Sequence, residues 1–404
     1  MYRQGAARAP VSRCAGILSS ARRWFSLATE SAEKKLFTPG PLNTSAATKQ
    51  AMLRDLGSRD VEFVQTVAFI RRKLVELAGL STDLFTCVPV QGSGTYALES
   101  VLTTTVPRQG GRVLALTNGA YGERSASICR VLGIDVEEVK FPEDETIDVQ
   151  RVRDVVSRDQ SFTNVSIVHC ETTSGVVNSV EEVGRLVKQM LPNAAYFVDT
   201  MSSFGGMPLD LEAAQVDYMV SSCNKCLESV PGFSYVLANS RKLLACKGWS
   251  RSVSLDLVAQ YNGLETNGQF RFTPPTHAML ALKQALKELD VEGGIEARAK
   301  RYQQNRKVLQ IGMAEMGFKE YLDSNHQGYI ITSYRYPSHP NFSFNEFYQR
   351  LNNKGMVIYP GKVTKADCFR IGNIGHLFST DMDRLLLAIR DVCKEMNIDL
   401  PLQH

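Results

Sequence analysis

The chain of 404 residues is 44% hydrophobic and 22% charged, an ordinary globular balance with material for one large α/β domain and a smaller companion. Five arginines and no acidic residue fall within residues 1–29, and the rest of the chain holds 41 basic against 42 acidic residues. That neutral body argues against a nucleic-acid partner, and no stretch approaches the roughly 18–20 apolar residues of a membrane helix. Nine irregularly spaced cysteines read as reduced thiols rather than a disulfide framework.

Residues 1–35 read as a separate unit. Arg3, Arg8, Arg13, Arg22 and Arg23 stand among Ser and Ala with no acid before Glu30. A cationic, amphipathic leader of this kind predicts delivery to the mitochondrial matrix, with processing near Arg22-Arg23-Trp24-Phe25-Ser26; a basic tail without an address is the alternative.

From residue 36 short apolar runs alternate with helical patterns. Leu84–Val90 predicts a strand, followed by the turn Gly92-Ser93-Gly94 and a helix over Tyr96–Thr104. Arg112–Leu116, Val165–His169, Ala194–Val198 and Tyr218–Ser221 continue the strands, with helices from Asn118-Gly119 to about Leu132 and over Val180–Met190. Such alternation predicts an α/β fold with a mostly parallel central sheet, whose ligands gather beyond the carboxyl ends of the strands. One long helix, roughly Ala278–Ala314, is expected after Thr273-Pro274-Pro275. Beyond it come strands at Tyr329–Ser333, Val357–Tyr359 and Cys368–Ile371, and helices at Phe344–Asn353 and about Asp381–Met396. The expected division is a large α/β domain over 36–275, then a linking helix and a small α+β domain over 276–404.

Three strand ends carry polar groups of different kinds. Gln91-Gly92-Ser93-Gly94-Thr95 joins a strand to a helix, and its glycines, hydroxyls and helix N-terminus suit an anion such as phosphate. A plain tight turn reads the same way, and the motif is neither a P-loop nor a full dinucleotide fingerprint. Asp199 closes the run Ala195-Tyr196-Phe197-Val198, where a carboxylate could bind metal, hold a ribose, pair with a pyridinium nitrogen, or cap a turn. Lys225 follows 26 residues later, after a buried-strand pattern, whereas most lysines are solvated surface groups. It lies inside Cys223-Asn224-Lys225-Cys226, a C-x-x-C without the second pair that a zinc site needs. No metal is expected. Taken together, a phosphate cup, a carboxylate and a lysine match the three handles of pyridoxal phosphate. Asp199 would keep the ring nitrogen protonated, and Lys225 would form the Schiff base and then move the proton.

The order Thr38-Pro39-Gly40-Pro41, Gly92-Ser93-Gly94-Thr95, Val198-Asp199 and Asn224-Lys225 resembles the fold-type I, class V aminotransferases. Further matching stretches run through Val198–Gly206, Asn224–Val236, Arg271–His277 and Val357–Gly375, and the resemblance spans about residues 36–396. It is closest to the branch that takes 2-aminoethylphosphonate and pyruvate; a relative using alanine and glyoxylate, or serine and pyruvate, is the alternative. A nucleotide-binding oxidoreductase or a binding domain built on the Gly-Ser-Gly turn would leave Asp199 and Lys225 unexplained.

The resemblance implies roles. Lys225 and Asp199 are catalytic. Ser93, Gly94, Thr95, Tyr121 (stacked on the ring), Thr172, Asn224 and Thr273 bind the cofactor. Gly40 and Arg370 meet the substrates, an amino donor and a 2-oxo acid, because a planar guanidinium clamps a carboxylate and can hold a phosphonate. Thr273 implies a homodimer with shared active sites, since the family donates this residue to the neighbouring subunit. His376 departs from the Asp expected after Gly375.

Overall fold

A computed structural model describes residues 33–403. The short strand β1 (Lys35–Leu36) comes first; the main sheet then takes β2 (Phe85–Gln91), β3 (Arg112–Thr117), β4 (Asp135–Lys140) and β5 (Asn164–Val168). After the hairpin β6 (Cys170–Glu171) and β7 (Val176–Val177), it continues with β8 (Ala195–Asp199), β9 (Tyr218–Ser222) and β10 (Phe233–Asn239). Its order is β2-β10-β9-β8-β5-β3-β4. β10 runs antiparallel to both neighbours and every other pairing is parallel. Central strands such as β5 and β9 are buried along their whole length, as a sheet covered on both faces requires. The carboxyl ends of β2, β3, β5, β8 and β9 therefore share one edge.

The fold belongs to the expected α/β class, and its differences have local causes. β4 reads Asp-Val-Glu-Glu-Val-Lys and carries almost no apolar signal. It survives as an edge strand with Arg112 paired to Asp135 at 3.2 Å and to Glu137 at 2.8 Å; charge on an edge also discourages further pairing. β10 begins in the Pro231-Gly232 turn that hides its start. Helices Val61–Leu77, Val149–Arg158 and Leu257–Asn267 went unread. The single long helix expected over 278–314 is two, Thr276–Glu292 and Gly294–Glu315. Gly293 and Gly294 sit at φ of 107° and 80°, a left-handed conformation that stops a helix and that glycine adopts without steric cost.

Two large apolar cores result. One gathers both faces of the main sheet and takes Met279, Leu282, Leu286 and Leu289 from helix Thr276–Glu292. The other lies under a three-stranded antiparallel sheet of β11 (Ile331–Arg335), β14 (Cys368–Gly372) and β13 (Tyr359–Pro360), and is filled by Leu309, Met313, Phe347, Phe369, Leu385 and Ile389. The N-terminal segment joins this second core. Phe37 is fully buried there, and β1 pairs in parallel with β12 (Met356–Val357). The remainder of the expected leader, residues 1–32, lies outside the described residues. Among the described residues, no helix is long and apolar enough to cross a membrane.

Helix Val180–Met190 lies tight against the chain before β9. A Cβ on Gly184 would come within 1.9 Å of the Ala214 carbonyl oxygen, a backbone atom that cannot yield as a side chain does. Gly184→Ala should lower stability by about 1–3 kcal/mol, read as a fall in thermal midpoint; an unchanged midpoint would mean the helix can slide outward freely.

Candidate active site

Five strand ends converge on a pocket of about 240 Å³. Its walls include Gly40, Ser93, Gly94, Thr95, Tyr121, Asp199, Asn224 and Lys225, eight of the residues singled out from sequence. β2 delivers the anion cup. Ser93 is the N-cap of helix Gly94–Thr105 but makes no side-chain cap, so its hydroxyl is not spent on the helix. The leading N–H groups of that helix face an incoming ligand with a partial positive charge. Ser234 Oγ donates to the Ser93 carbonyl at 3.1 Å and fixes the cup to β10. A Cβ on Gly94 would meet the Met201 Sδ at 2.1 Å, so any larger residue would have to push the Met201 side chain aside.

Asp199, at the end of β8, is buried. Its Oδ1 accepts the Met201 N–H at 2.8 Å, and its other oxygen has no donor among the described residues. Burial pushes the carboxyl up to about 6, against the Met201 N–H and the positive charges of Arg124 and Lys225. Lys225 Nζ donates to the Pro39 carbonyl at 2.7 Å. Loss of water is the main cause that lowers its pKa, and Arg370 adds to it, which favours the neutral amine that a carbonyl reagent needs. Gly40 packs against this side chain, where an added Cβ would sit 2.6 Å from Lys225 Cδ, and its φ of +120° already excludes most residues.

Tyr121 opens helix Ala120–Val131 beyond β3. The buried carboxylate of Glu171 receives the N–H groups of Tyr121 and Gly122 at 3.1 and 3.2 Å, and the Thr173 hydroxyl at 2.7 Å. Glu171 thus caps the helix that presents the ring. Nothing in the sequence pattern marked it, because the contact spans 50 residues. Arg124, Met201 and Ser222 also line the pocket and were likewise missed; only the i, i+3 spacing from Tyr121 could have pointed to Arg124.

Three expected residues lie outside that lining. Arg370, in β14, is buried and anchored, with Nε on the Pro360 carbonyl at 2.9 Å and Nη1 on the Thr172 carbonyl at 2.7 Å. Its charge is still felt at Lys225. Thr172 is buried with its hydroxyl unpartnered among the described residues. Thr273 is exposed on this chain and is not part of the pocket lining. The thiols of Cys223 and Cys226 turn from the pocket to backbone carbonyls, at 2.8 Å to Phe233 and 3.2 Å to Ser202. Burial pushes both up to about 12.

The turn after Lys225 is fastened from behind. The Glu228 N–H returns to the Lys225 carbonyl at 2.8 Å, and Glu228 Oε1 accepts Arg301 at 2.7 Å and the Tyr302 hydroxyl at 2.5 Å. Arg301 also donates to the carbonyls of Gly375 and Leu377, and Arg298 donates to the Cys226 carbonyl at 2.9 Å. His376 stands 3.9 Å from Glu228 Oε2, at the rim of this network.

The arrangement offers an anion cup, a half-satisfied carboxylate and a desolvated amine around one small space. A profile of the aminotransferase class-V family matches residues 45–364. The chain belongs to the class-V aminotransferases. Its relatives include the 2-aminoethylphosphonate–pyruvate transaminase of Syntrophobacter fumaroxidans, 47% identical over 88% of this chain and 95% of that protein. The enzyme of the same name from Salmonella heidelberg is 47% identical over 88% of this chain and 96% of its own length. Among solved structures, pyridoxamine–pyruvate aminotransferase from Mesorhizobium loti superposes with a TM-score of 0.83 at 25% identity, covering 92% of this chain and 95% of that one. The fold is the fold-type I architecture of these enzymes. These sequence relatives are bacterial proteins, which overturns the mitochondrial address. Five arginines without acid is a composition that a basic segment can have for many reasons, and it identified no import route.

Gly40→Ala should displace the Lys225 amine and reduce turnover on the order of 10²-fold, the effect of a misplacement near 1 Å, with the far-ultraviolet circular dichroism of the native protein. Turnover within a factor of two of wild type would show that Lys225 has room the packing denies it.

Proposed function

We propose that this protein transfers the amino group of 2-aminoethylphosphonate to pyruvate, giving phosphonoacetaldehyde and L-alanine, with pyridoxal 5'-phosphate as cofactor. The observation that carries the reading is the convergence of the cup, Asp199 and Lys225 in one pocket, in a chain 47% identical to named transaminases of this substrate pair. The residues suit the cofactor. The Ser93 hydroxyl is free of capping, the second Asp199 oxygen lacks a donor, and the buried Ser222 and Thr172 hydroxyls have no partner among the described residues; each is a group that a bound polar molecule would satisfy.

When bound, the cofactor links to a lysine and draws electrons from the carbon that bears the amino group. The side chains supply the rest. Ser93, Gly94 and Thr95 hold the phosphate, and Asp199 holds positive charge at the ring nitrogen. Tyr121 would stack on the ring and Asn224 would help to hold it, since both line the pocket. The Lys225 amine would take and return the proton at the amine-bearing carbon of either substrate. Arg370, its Nε and Nη1 already anchored, is pre-set for the phosphonate of one substrate and the carboxylate of the other, and Gly40 leaves space beside Lys225.

We also propose that the working unit is a homodimer in which Thr273 reaches the neighbour's phosphate cup; its exposure, next to a 52% exposed Phe272, is consistent with a covered position in a pair. The division into a large lobe over 36–275 and a small lobe over 276–404 belongs to the same proposal; the two cores support two lobes, but they put helix Thr276–Glu292 with the large one and Phe37 with the small one.

Purified protein should show the visible absorbance of a lysine-linked cofactor, and 2-aminoethylphosphonate should discharge it. Lys225→Ala should lose the band and essentially all turnover; retention of both would end the cofactor assignment. A stronger preference for alanine or serine than for 2-aminoethylphosphonate in a donor panel would end the substrate assignment alone. Arg370→Gln should raise the KM for both substrates by roughly 10–100-fold, the value of a charge-assisted hydrogen bond. An unchanged KM for pyruvate would remove the shared-anion role.

A further inference from the structure

Arg124 lies three residues after Tyr121 on helix Ala120–Val131, a spacing that puts both on one face. Its Nη1 donates to Thr95 Oγ1 at 3.2 Å, its guanidinium carbon stands 4.9 Å from the Tyr121 ring centre, and it lines the pocket with Asp199. Among the described residues no carboxylate lies within ion-pair distance of it. A half-buried guanidinium with no salt bridge among the described residues therefore touches Thr95 and the Tyr121 ring and shares the pocket with the Asp199 carboxylate.

We propose that Arg124 is a positioning residue for the cofactor: it fixes the Thr95 hydroxyl as a donor into the anion cup and supplies the permanent positive charge that faces Asp199. The first part follows from hydrogen-bond valence. Arginine can only donate, so Thr95 Oγ1 accepts from it, and the threonine's own proton is left to point at the phosphate. The second part follows from the company Asp199 keeps. Burial pushes its carboxyl up, the Met201 N–H draws it back, and among cations Arg124 outweighs Lys225. The remaining neighbours add no positive charge: the Cys170 thiol is raised chiefly by burial, with Asp199 a minor cause, and His169, whose backbone N–H binds the Asp199 carbonyl, is held down to about 4 by burial. Lys225 is a poor permanent counter-charge because desolvation favours its neutral form, whereas an arginine stays charged.

This inference rests on the pyridoxal-phosphate reading above but not on which amine is the donor. Apoprotein of wild type, Arg124→Lys and Arg124→Gln is titrated with pyridoxal phosphate between pH 5 and 8, and the visible band gives the dissociation constant at each pH. Removing the charge raises the Asp199 pKa, so the ionised form is lost at higher pH. R124Q should bind roughly tenfold more weakly at neutral pH and show its acid-side loss of binding about one pH unit higher than wild type. R124K should return the acid limb to the wild-type position while keeping part of the affinity loss, since a point charge replaces the fork. A folded R124Q with wild-type affinity and acid limb overturns the proposal. Weaker binding with an unmoved acid limb overturns the charge role. If wild type itself takes up no cofactor, the parent reading fails instead.

Discussion

The Glu228 carboxylate sits at the junction of the two cores and gathers Arg301 and Tyr302, while its backbone N–H closes the turn that begins at Lys225. Arg298 crosses from the same helix to the Cys226 carbonyl. Ions buried this deeply gain little over well-packed apolar groups, but losing one partner strands the others and costs on the order of 3–5 kcal/mol. The network is therefore better understood as a means of registration than as a source of stability. It fixes the turn that carries Lys225 against the segment over 373–377, which continues from the strand bearing Arg370. Lys225 and Arg370 stand beside separate cores, and this is where their separation is set.

Around the pocket the electrostatics are arranged by desolvation first and charge second. Burial raises Asp199 and lowers Lys225, bringing both groups toward the neutral range where proton transfer is most effective. Their hydrogen bonds are incomplete in matching ways: one Asp199 oxygen is engaged, and the Lys225 amine has a single carbonyl acceptor. Sites with such open valences are costly to leave empty, and a ligand that fills several together gains from all of them.

Much of the architecture was legible because parallel strands carry continuous apolar runs, and the residues just after them stand at one sheet edge by topology alone. Lys225, Asp199 and the cup could be picked out on that logic without any contact being known. Glu171 and Glu228 could not. Each acts through a carboxylate on backbone groups or side chains 49 to 74 residues distant, and neither spacing nor composition encodes that meeting. β4 failed for a different reason, since an edge strand held by ion pairs has no hydrophobic period to read. The leader was over-read, as composition is evidence of charge and not of destination.

The Gly293-Gly294 break has a geometric result that reaches the active site. At 1.5 Å per residue, an unbroken helix over the expected span would be a rod of about 55 Å, and Arg298 and Arg301 would point wherever that rod pointed. Two residues without side chains form an elbow instead, and the second helix folds back so that its arginines meet the Lys225 turn. The direction of that elbow sets where Arg298 and Arg301 lie, so the fastening of the Lys225 turn depends on backbone torsions on the other side of its ion network.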